Sequence, residues 1–227
     1  MKDNFFSAII VAAGNSSRMG GKESKMFIDL LGKSVITRTA DIFSSCSLIN
    51  EIIVVCRDED KEQIASSINT EKPLKFAKGG KTRQESVLNG IKCADEKCDY
   101  LVIHDGARPL VTEKEISDVL SDAVKYKAAT LGTKVKDTIK ISKDGFIENT
   151  PDRDFLYAVQ TPQVFLKSLY IKAAEKFKDS GFTDDCKLIE EYGEKVYITN
   201  GEYTNIKITT TDDIALAKAI LKGREEK

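Results

Sequence analysis

A chain of 227 residues, 41% hydrophobic and 31% charged, has the size and balance of one globular domain with a sizeable core. Lys plus Arg number 35 against 36 Asp plus Glu, so the formal net charge of −1 excludes an overall electrostatic footprint for nucleic acid and makes any anion site local. A single histidine excludes a histidine-clustered metal centre, and no apolar run is long enough to span a bilayer.

In chain order, Ile9-Ile10-Val11 is a short apolar run of the kind that forms a strand buried on both faces. Ala12, Ala13 and Gly14 follow it, then Asn15-Ser16-Ser17, then cations at Arg18 and Lys25. Small side chains let backbone approach a ligand closely, and successive amide N–H groups in such a turn can cradle an anion. A helix is predicted over Ser34–Phe43, a strand over Glu51–Cys56, a helix over Glu59–Ile68 and a short strand near Leu74–Ala77. Gly79-Gly80 then leads into an amphipathic helix, Thr82–Ala94, and Tyr100–Ile103 is a third strongly apolar strand. It ends at His104-Asp105-Gly106-Ala107-Arg108-Pro109, before a helix over Glu113–Lys127 and a short strand over Ala128–Leu131. Apolar strands alternating with helices predict an α/β fold, a Rossmann-like, mostly parallel sheet with helices on both faces.

That alternation breaks between Val135 and Pro162. Val135–Ile141 alternates in polarity, Lys143-Asp144-Gly145 is a hairpin turn signal, and Phe146-Ile147-Glu148 pairs back. The expectation is one domain over 1–227 with a β-arm at about 135–160 protruding from it. Half-apolar arm faces need a partner surface, which predicts a homodimer through the arm. Helices over Leu166–Lys178, Asp184–Tyr192 and Thr211–Leu221 and a strand over Lys195–Thr199 complete the elements, with Arg224–Lys227 expected to fray. Met1-Lys2-Asp3-Asn4 runs straight into a strand without a signal-peptide pattern, and the five cysteines form no C-x-x-C pair. A cytoplasmic location, with no nucleic-acid or membrane partner, is therefore expected.

Ligands of open parallel sheets bind beyond the carboxyl ends of the strands, and four polar clusters fall there. They are Gly14–Lys25, Gly79–Ser86, Asp105–Arg108 and Asn205-Ile206-Lys207, a set suited to a phosphate-rich ligand. A dinucleotide-dependent oxidoreductase needs G-x-G-x-x-G and an acidic residue ending the second strand; here the second glycine is missing and that strand ends at Cys56-Arg57. The P-loop pattern fails too, because Gly20-Gly21-Lys22 is followed by Glu23.

Ala12-Ala13-Gly14-(x)3-Arg18-Met19 with Lys25 resembles the signature of sugar-phosphate nucleotidylyltransferases. Further motifs narrow the resemblance: G-G-x-T-R-x-x-S at Gly79–Ser86, H-D-x-A-R-P at His104–Pro109, K-D-T at Lys136–Thr138, Asp152-Arg153, Q-T-P-Q at Gln160–Gln163 and N-I-K at Asn205–Lys207. Together they resemble the 2-C-methyl-D-erythritol 4-phosphate cytidylyltransferases of the non-mevalonate isoprenoid route, in that family's order and over nearly the whole chain. The resemblance implies CTP and methylerythritol 4-phosphate as substrates and Mg²⁺, or another divalent cation, as cofactor. It makes Arg18, Lys25 and Lys207 the catalytic cations. Ala12, Ala13, Gly14, Gly80, Arg83, Ser86 and Asp105 would bind the nucleotide, Asp105 also serving the metal or a substrate hydroxyl. Thr138 and Arg153 would bind methylerythritol phosphate, reaching across a dimer from the β-arm. Ribitol 5-phosphate cytidylyltransferase is the nearest alternative, since the nucleotide motifs do not separate two linear polyol phosphates; H-D-G-A-R-P and Q-T-P-Q lean toward methylerythritol phosphate. Gly106 stands where alanine is common among relatives, and Lys81 where some place an acidic residue.

Overall fold

A computed structural model describes residues 3–14, 24–178, 182 and 184–225. The chain begins with β1 (Phe6–Val11), a short hairpin of β2 (Asp29–Leu30) and β3 (Lys33–Ser34), and α1 (Val35–Ser45). It continues through β4 (Glu51–Cys56), α2 (Lys61–Ser67), β5 (Leu74–Lys78), α3 (Arg83–Cys93), β6 (Tyr100–Asp105) and α4 (Glu113–Tyr126). Next come β7 (Ala128–Lys134), β8 (Ile141–Lys143), β9 (Phe146–Asn149) and β10 (Tyr157–Leu166). α5 (Lys167–Lys176), α6 (Asp185–Tyr192), β11 (Tyr197–Asn200) and α7 (Thr211–Glu225) follow.

Seven strands form one sheet in the order β11-β7-β10-β6-β1-β4-β5. β1 pairs in parallel with both β4 and β6, so the chain runs outward through β4 and β5 and then returns to the other side of β1. That reversal opens a crevice at the carboxyl ends of β1 and β6, the usual ligand position in such sheets. Successive side chains of β1 and β4 alternate between two cores: Ala8, Ile10, Ile52 and Val54 pack on one face, Ile9, Ile53 and Val55 on the other. α1, α4 and α7 cover the first face, and α3, α5 and α6 the second. Burying each of these Ile and Val side chains stabilises the fold by about 1.5–3 kcal/mol. Gly90 lets α3 lie close on the sheet, since a Cβ there would stand 2.7 Å from Ile9 and 2.9 Å from Val55. Ser34, Thr82, Thr112 and Asp184 cap α1, α3, α4 and α6 with side-chain oxygens that accept backbone N–H groups, each worth about 1 kcal/mol.

Three expectations are corrected. Tyr157–Leu166 is not part of an arm followed directly by a helix; it is the antiparallel strand β10, wedged between β6 and β7. Pro162 fits there because the register shifts between Val159 and Gln163, a bulge that spares a ladder bond. Residues 157–160 therefore belong to the main sheet, and the hairpin lies within 141–149, with Asp144 and Gly145 both at positive φ in its turn. Residues 135–140, between β7 and the hairpin, form no strand. Lastly, Arg224 and Glu225 continue α7, Arg224 donating to the Leu110 carbonyl at 2.9 Å, while 226–227 lie outside the described residues.

Candidate active site

Backbone proximity builds one wall of the crevice. After β1, Ala12 donates its N–H to the Val55 carbonyl at 2.8 Å; after β5, Gly79 donates to the Cys56 carbonyl at 2.9 Å. The two turns touch so closely that a Cβ on Gly79 would lie 2.3 Å from that of Ala13, so this position admits only glycine. Ser86, one turn into α3, accepts the Gly80 N–H at 2.9 Å and returns its own proton to the Thr82 carbonyl. Ala12, Ala13, Gly14, Gly80 and Ser86 thus line one cavity of about 390 Å³.

Charge comes from four distant segments. Asp105 ends β6 at the cavity, and the loop carrying Lys207 is sewn to it by the Ile208 N–H bonded to the Ala107 carbonyl at 2.8 Å. Lys207 Nζ stands 2.7 Å from Asp105 Oδ2, with Arg108 Nε at 3.7 Å from the same oxygen and Arg83 Nε at 3.9 Å from Oδ1. Burial pushes the Asp105 carboxyl up, but Lys207, Arg83 and Arg108 outweigh it and hold its pKa down at about 2. Lys25, first residue of the short helical turn Lys25–Phe27, donates from its Nζ to the Ile208 carbonyl at 3.0 Å. Lys25, Lys81, Arg83 and Lys207 all line the cavity, an arrangement able to hold a polyanion.

Lys25, Lys207, Arg83 and Asp105 are therefore brought together with the backbone set. Arg18 lies outside the described residues. Thr138 and Arg153 do not line this cavity: both are exposed, and Arg153 Nη1 donates to the Lys136 carbonyl at 2.9 Å. Of the described residues, Asp105 is the only carboxylate lining the cavity, and no group of three or more His, Cys, Asp or Glu there could hold a metal ion.

Sequence reasoning missed the buried supports. Arg108 Nη1 donates to the Asn205 carbonyl at 2.7 Å, and Asn205 Nδ2 to the Thr161 carbonyl at 3.0 Å, clasping the Lys207 loop to β6 and β10. Both lie in motifs that were visible, yet a motif does not say whether a residue faces ligand or core. His104 is fully buried against Phe43, its Nε2 3.1 Å from the Arg108 carbonyl. A carbonyl only accepts, so Nε2 carries the proton and Nδ1 accepts from Thr161 Oγ1, which in turn accepts the Asp105 N–H at 3.0 Å. Burial, more than the opposing Arg108 carbonyl and Asp105 charge, depresses the imidazole pKa to about 4. As the only histidine, it can be followed by NMR without assignment, and its ring signals are expected to titrate near pH 4. The unfolded chain takes up this proton first, near pH 6.5. Stability is thus full above pH 6.5 and falls by about 3 kcal/mol on acidification to pH 4, a slope that urea unfolding should detect. Titration near 6.5 in the folded protein would contradict the assignment.

The family model described as 2-C-methyl-D-erythritol 4-phosphate cytidylyltransferase (IspD) matches residues 6–223. The chain is 46% identical over 223 residues to the protein of that name from Caldanaerobacter subterraneus subsp. tengcongensis, covering 95% of this chain and 98% of the other. It is 43% identical to the one from Clostridioides difficile, covering 95% and 93%. Among solved structures, 4-diphosphocytidyl-2C-methyl-D-erythritol synthase from Anaerococcus prevotii superposes with a TM-score of 0.87 at 38% identity, covering 97% of this chain and 99% of that one. The Thermus thermophilus cytidylyltransferase gives 0.78 at 27% identity, covering 96% and 99%.

Proposed function

Since the chain belongs to the 2-C-methyl-D-erythritol 4-phosphate cytidylyltransferase family, we propose that its cavity transfers a cytidylyl group from CTP to 2-C-methyl-D-erythritol 4-phosphate. The products are 4-diphosphocytidyl-2-C-methyl-D-erythritol, an isoprenoid precursor intermediate, and pyrophosphate. A phosphate oxygen of methylerythritol phosphate attacks the α-phosphorus of CTP, and the bond to the bridging oxygen of pyrophosphate breaks. The observation that carries this reading is the convergence of Lys25, Arg83 and Lys207 around Asp105 beside the touching Ala13 and Gly79 turns.

An ionised phosphate is already a nucleophile, so the reaction needs positioning and charge stabilisation rather than a general base. His104, sealed in the core with both ring nitrogens engaged, is consistent with that. Lys25 and Lys207, both in the cavity lining, would grip the triphosphate, with Arg18 as a third cation. Ala12, Ala13, Gly14, Gly80 and Ser86 seat base and ribose. A divalent cation, Mg²⁺ or another, fits as a guest carried on the triphosphate: Asp105 offers one carboxylate, with Lys207 on Oδ2, and phosphate oxygens would supply the remaining ligands. When bound, it neutralises triphosphate charge.

The arm of a second copy would complete the site for methylerythritol phosphate. Phe146, Ile147 and Phe155 are 79%, 65% and 81% exposed, apolar surface that supports a homodimer through this region. Thr138 and Arg153 flank it and lie off their own cavity, which favours action in trans. Mixing Lys25→Ala and Arg153→Ala subunits is then expected to restore activity in hybrid dimers, to about a quarter of wild type if exchange is random and one site per hybrid is intact. No restoration after verified subunit exchange would sink the trans assignment. The five cysteines, all free in the fold, suit the reducing cytoplasm. No helix among the described residues is long and apolar enough to cross a membrane.

Pyrophosphate release with CTP and Mg²⁺ tests the reading directly, with methylerythritol 4-phosphate and ribitol 5-phosphate offered in parallel. Release is expected with the first; release with ribitol phosphate alone would overturn the substrate assignment.

A further inference from the structure

Arg83 reaches the cavity as the first residue of α3, and its guanidinium has two carboxylate neighbours. One is Asp105, across the cavity wall at 3.9 Å. The other is Asp185, the first residue of α6, whose Oδ2 accepts a hydrogen bond from Arg83 Nη1. Asp185 is 3% exposed and its second oxygen is also taken, accepting the Tyr170 hydroxyl at 2.7 Å. Tyr170 is itself fully buried in α5, its ring centroid 5.6 Å from that of Phe165. The carboxylate is therefore fixed by two donors from α3 and α5.

We propose that Asp185 and Tyr170 are positioning residues for CTP, holding the Arg83 guanidinium in the cavity wall and off Asp105. This rests on the cytidylyl-transfer reading of the cavity. Burying a carboxylate costs several kcal/mol of desolvation, and an apolar substitute of similar volume would serve the fold as well, so stability alone does not account for the pair. Its geometric consequence does. With Nη1 committed to Asp185, Arg83 cannot swing fully onto Asp105, where it would compete with Lys207 for the carboxylate. Nη2 has no hydrogen-bond partner among the described residues and stays available to an anionic or carbonyl acceptor on the nucleotide. The fork shape of a guanidinium suits this split, one edge anchored and the other presented.

Asp185→Asn keeps the volume but turns an amide donor toward Arg83 or Tyr170, and Tyr170→Phe removes one anchor. With the full-length protein and Mg²⁺ present, calorimetry should show CTP binding weakened tenfold or more in Asp185→Asn and about threefold in Tyr170→Phe. KM for CTP should rise in parallel, with KM for methylerythritol phosphate moving less than twofold. A purely structural role would lower the melting temperature and leave the affinity of the folded protein unchanged. In an Arg83→Ala background, Asp185→Asn should add nothing to the loss of CTP affinity. Wild-type affinity in folded Asp185→Asn, or an undiminished effect without Arg83, would overturn the inference. Should Asp185→Asn not fold, Tyr170→Phe decides: unchanged CTP affinity overturns it equally. Wild-type protein that fails to bind CTP would overturn the functional reading and this inference with it.

Discussion

Lys207→Ala is expected to lower kcat/KM for CTP by about 10³-fold, the largest loss of any single substitution among the described residues. The side chain has two tasks. It lines the cavity proposed for the triphosphate, and it is the nearest countercharge of Asp105, at 2.7 Å. Removing it subtracts attraction and leaves a mostly buried carboxylate aimed at the triphosphate. A unit-charge pair near 4 Å is worth about 4 kcal/mol at the effective dielectric of a protein surface, so both effects are large enough to register. The Asp105 carboxyl, held at about 2 by its cationic neighbours, should move back toward the ordinary carboxylate range. Its folded value lies below the unfolded one, so it contributes stability above about pH 4 that is lost as pH falls through 2; in Lys207→Ala that loss should begin at higher pH. Adding Asp105→Asn to Lys207→Ala removes the stranded charge and should recover about tenfold in kcat/KM. Steady-state pyrophosphate release on the single and double variants provides the cycle. A double variant no better than Lys207→Ala would mean that Asp105 contributes more to substrate binding than it costs when left unpaired.

Lys25→Ala should lower kcat by about 10²–10³, which corresponds to roughly 2.7–4 kcal/mol of transition-state stabilisation, while raising KM for CTP much less. Lys25 opens a short turn, Lys25–Phe27, whose start is capped by Ser24 Oγ and whose Met26 is 3% exposed in the core. Its ammonium donates to the Ile208 carbonyl, next in sequence to Lys207, whose own ammonium pairs with Asp105, so two cations distant in sequence line one cavity. Such fixed charge is worth most where charge develops during reaction. Lys25→Arg preserves the sign but not the compact point charge and should fall between wild type and Lys25→Ala. Circular dichroism on the variants separates chemistry from misfolding; a loss under fivefold in well-folded Lys25→Ala would remove it from the catalytic set.

The strands readable in advance were those whose environment is written into a few consecutive residues. Ile9-Ile10-Val11 and Glu51–Cys56 are buried on both faces, so their apolar runs state their burial directly. Asp144-Gly145 announces its turn because both residues tolerate positive φ. β10 gave no such signal. Gln160, Thr161 and Gln163 look like loop chemistry, yet all are buried, because Glu202, Thr130, Asn205 and Asp184 supply their partners from 21 to 44 residues away.

The site divides along the same line. Small residues after β1 and charged clusters at strand ends suggest an anion site, but Ala12, Ala13, Gly14, Gly80, Ser86, Lys25 and Lys207 are singled out through the resemblance of their motifs to a nucleotidyltransferase family. Local composition therefore sufficed for the α/β class, the polar clusters at strand ends and the chemistry they suit. Folding alone decided that the Lys25 ammonium bonds the Ile208 carbonyl beside Lys207, that His104 is a sealed strut rather than a base, and that Asp185, 102 residues from Arg83, holds its guanidinium. The physical reason is that hydrogen bonds and ion pairs between distant segments depend on which strand lies beside which. No short window of sequence contains that adjacency.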